Sequence, residues 1–309
     1  MPELHEPEIV TIKRAIALTL DRRTTAHRQA AAGLTPGSGR LNLLMEGDSW
    51  FDYPLTGGNP LLPSGVIAQL PALLAPAPLI LPLAHFGDTA TSMLGVDQRR
   101  RLVAALTDTG HGAFDAMLFS GGGNDIAGEQ FRLWLHDAGT GGGAINLAAL
   151  DHVLGVVMAA YEDLVALRDK HRANLPIFLH AYDFALPTGN GVCGIGPWLR
   201  PSLEDRGWMA PGDPASNGAS IVKDMLTRFR DRLAVFAAAH QEDVVLVKTQ
   251  GLLAEHEWAN ELHPTPGGFR KVSKAFADAL VARFPDRAAL APAAPVVAAG
   301  TIVGAGSLG

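Results

Sequence analysis

Ser49 stands in Gly47-Asp48-Ser49-Trp50, and His263 stands in Trp258-Ala259-Asn260-Glu261-Leu262-His263-Pro264-Thr265. A serine hydroxyl becomes a useful nucleophile when a neighbouring base takes its proton, and histidine is suited to that task near neutral pH. Attack on a carbonyl then calls for N–H donors around the oxygen that gains charge, usually the largest single catalytic contribution. Gly87, in His85-Phe86-Gly87-Asp88-Thr89, could offer its backbone N–H, and Asn124, in Gly121-Gly122-Gly123-Asn124-Asp125, its side-chain amide, beside the N–H of Ser49. Read together, the four positions suit acyl transfer through a serine. Each also has a plain alternative. Ser49 could cap a turn or helix, Gly87 and Gly122 could serve only to allow positive φ, and Asn124 with Asp125 could begin a helix.

The elements that must bring these residues together can be read from apolar runs. Leu41–Glu46, Leu79–Ala84, Asp115–Ser120, Leu175–His180 and Val244–Val247 predict five buried strands, the first three running directly into the Ser49, Gly87 and Asn124 blocks. Leu147, Leu150, Leu154, Val157, Tyr161, Leu164 and Leu167 keep three- and four-residue spacing, which predicts a long helix with one face on a sheet. Further amphipathic helices are expected over Ile221–His240, from a start near Asn217, and over Val272–Phe284 after His263. Strands alternating with helices imply a parallel sheet covered on both faces. Chemistry in such sheets gathers at the carboxyl ends of the strands, where Ser49 falls.

With these blocks in order, the chain resembles the SGNH hydrolases, the GDSL family of esterases and lipases. Ser49, Gly87, Asn124 and His263 match the four letters of the name, and His180-Ala181-Tyr182-Asp183 is similar to a run in bacterial members. The resemblance implies an α/β fold, a three-layer α/β/α sandwich around a mostly parallel sheet of about five strands. It implies hydrolysis of a small-molecule ester through a serine acyl-enzyme, with no cofactor and no metal. One position departs from the family pattern, which has aspartate three residues before the histidine where this chain has Asn260. An amide oxygen can hold the imidazole but brings no charge to it. In serine-protease triads the acid-to-amide change costs about 10⁴ in turnover, largely through the wrong tautomer. Three groups are therefore candidates to orient His263: Asn260 or a backbone carbonyl near it, Glu257, and Glu261.

The 309 residues, 48% of them hydrophobic, suffice for one large core. Residues 1–40 are expected as a helical N-terminal extension, 41–287 as the hydrolase domain and 288–309 as an Ala/Pro/Val/Gly tail that could serve in interaction. A net charge of −6, with no basic run beyond Arg99-Arg100-Arg101, makes nucleic acid an unexpected partner. Val66–Ala84 is apolar enough to suggest a membrane span, but Pro71, Pro76, Pro78 and Pro82 interrupt it, so a short helix, a turn and a strand are expected instead. The acidic start Met1–Pro7 lacks a secretory pattern, which makes the cytoplasm the default expectation. The single cysteine, Cys193, excludes an intrachain disulfide and a cysteine-based zinc site and is expected to be a plain loop residue.

Two long irregular stretches, Ile126–Ala144 and Tyr182–Pro214, are expected to build the substrate site, with Trp50, Phe51, Tyr53, Phe86 and Trp198 as candidate walls of an apolar pocket. These aromatics could equally be core anchors. Gly189-Asn190-Gly191-Val192-Cys193-Gly194 fits the dinucleotide-binding string, yet Ile195-Gly196-Pro197-Trp198 does not open the helix that such binding needs. No H-E-x-x-H occurs, which disfavours a zinc hydrolase.

Overall fold

The structure is a computed structural model that describes residues 6–33, 39–53, 64–192 and 194–292. Cys193 and the tail from residue 293 onward, for which roles were expected, lie outside the described residues. Helices α1 (Glu6–Ala32), α2 (Val66–Gln69), α3 (Ala90–Met93), α4 (Val96–Thr107) and α5 (Gly123–Ile126) fall in the first half. They are interleaved with strands β1 (Asn42–Gly47), β2 (Leu74–Ala75), β3 (Leu79–Pro82) and β4 (Ala116–Ser120). The second half alternates α6 (Leu147–Arg172), β5 (Ile177–His180), α7 (Arg200–Asp205), α8 (Ser216–Ala239), β6 (Val244–Val247), α9 (Pro266–Arg283) and β7 (Ala289–Leu290).

The five expected runs form one five-stranded sheet in the order β3-β1-β4-β5-β6. All its pairings are parallel. Internal strands β1, β4 and β5 are buried along their whole length, whereas edge strand β3 alternates, as expected when helices cover both faces only of the inner strands. Helix α6 packs against α4 and α8 in one layer, while α9 packs with α2 and also meets β6 in the other. The fold is thus a three-layer α/β/α sandwich.

Local chemistry sets the element starts. Asn146 caps α6 by accepting from the N–H of Ala149, and Thr265 caps α9 by accepting from Gly268, with Pro266 at the first helical position. The winding runs from β1 outward to β3, then returns to the other side of β1 for β4, β5 and β6. That reversal places a crevice between the ends of β1 and β4. Asp48 bridges it, its N–H donating to the carbonyl of Ser120 at 3.1 Å. Gly47 permits the approach: a Cβ there would meet Ser120 Cβ at 2.8 Å and its carbonyl oxygen at 2.9 Å.

One boundary differs from expectation. The segment expected as a tail from 288 contributes β7, which pairs antiparallel with β2 in a two-stranded sheet, and Ala291 N–H donates to Leu73 O at 2.9 Å. The N-terminal helix is docked by polar groups. Arg23 donates to Asp52 (2.8 Å) and to the carbonyl of Ala84 (3.1 Å), while buried His27 meets His111 (2.9 Å) and Asn42 (3.0 Å). The apolar stretch from Val66 resolves into α2, a 3₁₀ turn, β2 and β3, and among the described residues no helix is long and apolar enough to cross a membrane.

Candidate active site

Ser49 follows the buried end of β1, and its Oγ lies 2.7 Å from Nε2 of His263, 214 residues away in sequence. Both side chains are largely buried. The loop carrying His263 is closed by its own backbone, with the N–H of Ala259 donating to His263 O at 2.9 Å, and is aligned by the cap of α9. Asn260 Oδ1 accepts from the N–H groups of Leu262 and His263, both at 3.0 Å, while its Nδ2 donates to the Tyr53 hydroxyl at 3.1 Å. Turning the amide over would set its NH₂ against two backbone donors, so the oxygen must be the atom facing the ring. The 2.9 Å contact between that oxygen and His263 Nδ1 therefore places the imidazole proton on Nδ1. Nε2 is left as an acceptor facing Ser49.

Burial pushes the His263 pKa down to about 3, so the ring is neutral at physiological pH and able to take a proton. Tyr53 stacks on it at 4.5 Å between ring centroids, and Trp198 meets it edge-on at 5.8 Å. The two glutamates considered as orienting groups are engaged elsewhere. Glu257 pairs with Lys271 at 2.6 Å and accepts from the N–H of Ala254, whereas fully buried Glu261 accepts only backbone N–H groups of the 189–200 loop.

Gly87 has φ of +84° in the loop after β3, and open space where a Cβ would stand. Asn124 sits at the start of α5, and its Nδ2 donates to the carbonyl of Asp88 at 2.8 Å, joining the loop after β4 to the one after β3. Gly122, at φ +99°, makes the preceding turn. Asp125 fixes the same neighbourhood by accepting from the N–H of Ala90 at 2.7 Å and the hydroxyl of Thr91 at 3.0 Å.

Beneath Ser49 lies a polar network that motif reading did not assemble. The buried Asp48 carboxylate accepts from Tyr182 Oη (2.6 Å), Ser120 Oγ (2.8 Å) and the N–H of Trp50 (3.0 Å). His180 Nδ1 accepts from the N–H of Tyr182, so its Nε2 carries the proton and donates to Ser120 Oγ at 2.8 Å. Burial raises the Asp48 pKa to about 6 and lowers that of His180 to about 3. The usable signal was position. His180 and Tyr182 stand at the carboxyl end of a strand, as Ser49 and Asn124 do, and Tyr182 is one of two non-glycine residues with positive φ among the described residues.

Of the expected pocket aromatics, Trp50 lines the cleft beside Ser49 and donates through Nε1 to Leu262 O at 3.0 Å. Phe51 does not fit its expected role: fully buried, it stacks on His180 and packs edge-on against Phe276, inside the core and away from substrate. Phe86 is exposed and stacks on His85, outside the lining of the cleft. Phe131 and Trp134, in the first long stretch, are core residues as well. The apolar wall is instead built by Ala127, Ala185, Leu199, Val222, Met225 and Leu226, with Ser49, Asn124 and His263 at the polar end. Three of these come from α8, whose apolar periodicity gave no hint of a pocket. Among the described residues, no group of three His, Cys, Asp or Glu side chains is placed to hold a metal ion.

No family model and no curated protein matches the chain. Solved structures with a similar course of chain include a lipase from a goat rumen metagenome (14% identity, TM-score 0.48, covering 77% of this chain and 97% of that one). An extracellular lipase from Streptomyces rimosus gives 16% identity and a TM-score of 0.45 over 77% of this chain and 99% of its own. A carbohydrate acetylesterase from Sinorhizobium meliloti gives 14% and 0.44 over 79% and 100%. The chain resembles the SGNH hydrolases. Relative to the SGNH pattern, the departure at the site is the amide of Asn260, which holds His263 in the tautomer an aspartate would select.

Proposed function

We propose that the protein is a carboxylic ester hydrolase that works through a serine acyl-enzyme. The observation that carries this reading is the directed chain Asn260 Oδ1, His263 Nδ1–H, His263 Nε2, Ser49 Oγ, with contacts of 2.9 and 2.7 Å, at the polar end of an apolar cleft. Ser49 Oγ attacks the ester carbonyl as its proton passes to His263 Nε2. The oxyanion is received by the N–H groups of Ser49 and Gly87 and by the second amide proton of Asn124, whose first is held by Asp88. Collapse expels the alcohol with the proton from His263. Water, deprotonated by the same ring, then releases the acid from Ser49.

The usual objection to an amide in the acid's place is loss of the correct tautomer. Here the two backbone N–H groups on Oδ1 and the tyrosine on Nδ2 remove that objection and leave only the missing charge. The apolar lining supports an acyl ester over a polar glycan, and short- to medium-chain esters are the proposed substrates. A serine-directed phosphonate should add one label to the wild type and none to Ser49→Ala, and a chromogenic ester series varying acyl length should show turnover that the variant lacks. Labelling that persists in Ser49→Ala would move the nucleophile elsewhere. Turnover confined to acetyl esters would shift the reading toward a deacetylase of O-acetylated carbohydrate, and silence across the series toward a non-catalytic binding protein.

A further inference from the structure

Among the described residues, no side-chain cation stands against the carboxylate of Glu261. It is fully buried, two residues before His263, and receives four backbone donors: Gly189 (3.0 Å) and Arg200 (3.0 Å) on Oε1, Trp198 (2.5 Å) and Leu199 (2.6 Å) on Oε2. Its own N–H donates to the carbonyl of Asn190 at 3.2 Å. The guanidinium of Arg200 is turned to Glu204 and to the carbonyls of Asp213 and Ala210. A buried carboxylate is costly unless its lone pairs are filled, and four N–H groups fill them. Two of the donors, Leu199 and Arg200, are the N-cap and first residue of α7, whereas Gly189 lies ten residues before that cap. The four donors come from both ends of one irregular loop, which the carboxylate gathers around itself.

That loop matters for the cleft. Leu199 is part of its apolar wall, and Trp198 sets its ring edge against His263. We propose that Glu261 is a positioning residue that fixes the 189–200 loop as the acyl-side wall and so sets acyl-chain selectivity. The inference rests on the ester-hydrolase reading for its substrate but on the four hydrogen bonds for its mechanism. No other residue type substitutes: glutamine would point an NH₂ at backbone donors, and aspartate is one methylene too short to reach both ends of the loop. Glu261 takes no part in proton transfer, because the depression of the His263 pKa is caused by burial and Asn260 already holds Nδ1.

Three measurements test this. In the wild-type protein, amide hydrogen exchange at Trp198, Leu199 and Arg200 should be slowed at least a hundredfold relative to an unstructured chain, although Trp198 lies in a loop. In Glu261→Gln, KM for a hexanoyl ester should rise tenfold or more while kcat for an acetyl ester falls by less than fivefold, with the pH midpoint of kcat/KM unmoved. In a double-mutant cycle, Leu199→Ala should alter the hexanoyl-to-acetyl ratio of kcat/KM in the wild-type background and lose most of that effect in Glu261→Gln. Rapid exchange at the three amides would overturn the clamp, and this is read without any variant having to fold. An unchanged acyl profile in folded Glu261→Gln, or a collapse of kcat with a shifted pH midpoint, would overturn the positioning role. If the wild type hydrolyses no ester and takes no phosphonate label, the esterase reading and the selectivity claim fail together, while exchange still judges the clamp.

Discussion

Asn260 is the residue on which the chemistry turns. Its amide can do the orienting half of an aspartate's work because its oxygen is pinned by two backbone N–H groups and its nitrogen by Tyr53. The charge-stabilising half is missing. Asn260→Asp should therefore raise kcat/KM by up to about tenfold through stabilisation of the imidazolium. Asn260→Ala should cost on the order of 10², as the ring loses both its tautomer and its plane. The sign of the pH effect follows from the base having to be neutral. A His263 pKa pushed down to about 3 leaves kcat/KM flat from neutral pH to well below 6.5, and an introduced carboxylate moves the acid limb upward. Pre-steady-state ester hydrolysis against pH, with circular dichroism to confirm folding, reads both variants. On the oxyanion side, Asn124→Ala should lower kcat by about 10²–10³ with little change in KM. An unaltered kcat there would leave Asn124 with only its bond to Asp88.

At the scale of elements, helix α1 is fastened to the amino end of the sheet by an ordered pair of histidines. Asn42 spends both amide protons on the carbonyls of His111 and Ala113, so its oxygen receives Nε2–H of His27. His27 Nδ1 is then an acceptor, and His111 Nδ1 donates to it. His111 Nε2 is left without a hydrogen-bond partner, 3.6 Å from Asp108, whose carboxylate is held by Arg28. A proton added to His27 would set two N–H groups against each other. Burial, then His111, lowers the His27 pKa to about 4. A folded-state pKa below the ordinary histidine value of 6.5 means the unfolded chain binds more protons between those limits. The contribution is whole above pH 6.5 and is lost as pH falls toward 4, on the order of 3 kcal/mol in total. Urea unfolding midpoints at pH 7.5 and 4.5 should differ less in His27→Gln than in the wild type. Equal pH dependence in both would take His27 out of the acid response.

Over the whole molecule, the sandwich is closed near its amino end by Arg287 and by residues 289–291, which composition assigned to a tail. Arg287 binds Asp115 and the carbonyl of Arg40, β7 pairs with β2, and Ala291 bonds to Leu73. Truncation after residue 292 should leave Tm within about 2 °C. Truncation after 286 should lower it by several degrees, since a domain of this size shifts by roughly 2–4 °C for each kcal/mol. Calorimetry on the two truncations distinguishes a closing strand from a dispensable end, and equal Tm values would make β7 incidental. Ester turnover should survive the shorter deletion, because the cleft is lined from the opposite, carboxyl ends of the strands.

The apolar runs were enough to locate all five strands of the main sheet within a few residues, because the inner strands, buried on both faces, have to be continuously apolar, and the edge strands β3 and β6 carry apolar runs as well. Long helices α6, α8 and α9 were legible for the corresponding reason, one apolar stripe at helical spacing. Ser49, Gly87, Asn124 and His263 were legible as candidates because each follows a strand or precedes a helix in a glycine-bearing block. Which group faces His263 was not legible. Asn260, Glu257 and Glu261 lie within a span of five residues, and their side-chain directions depend on how the loop closes on itself, on Tyr53 and on the 189–200 segment. The cleft wall was missed for a similar reason. Phe51 and Val222 are both apolar, and only packing sends one into the core against His180 and the other toward Ser49. Hydrophobicity dictates that a side chain be buried, while the tertiary structure alone decides what it is buried against.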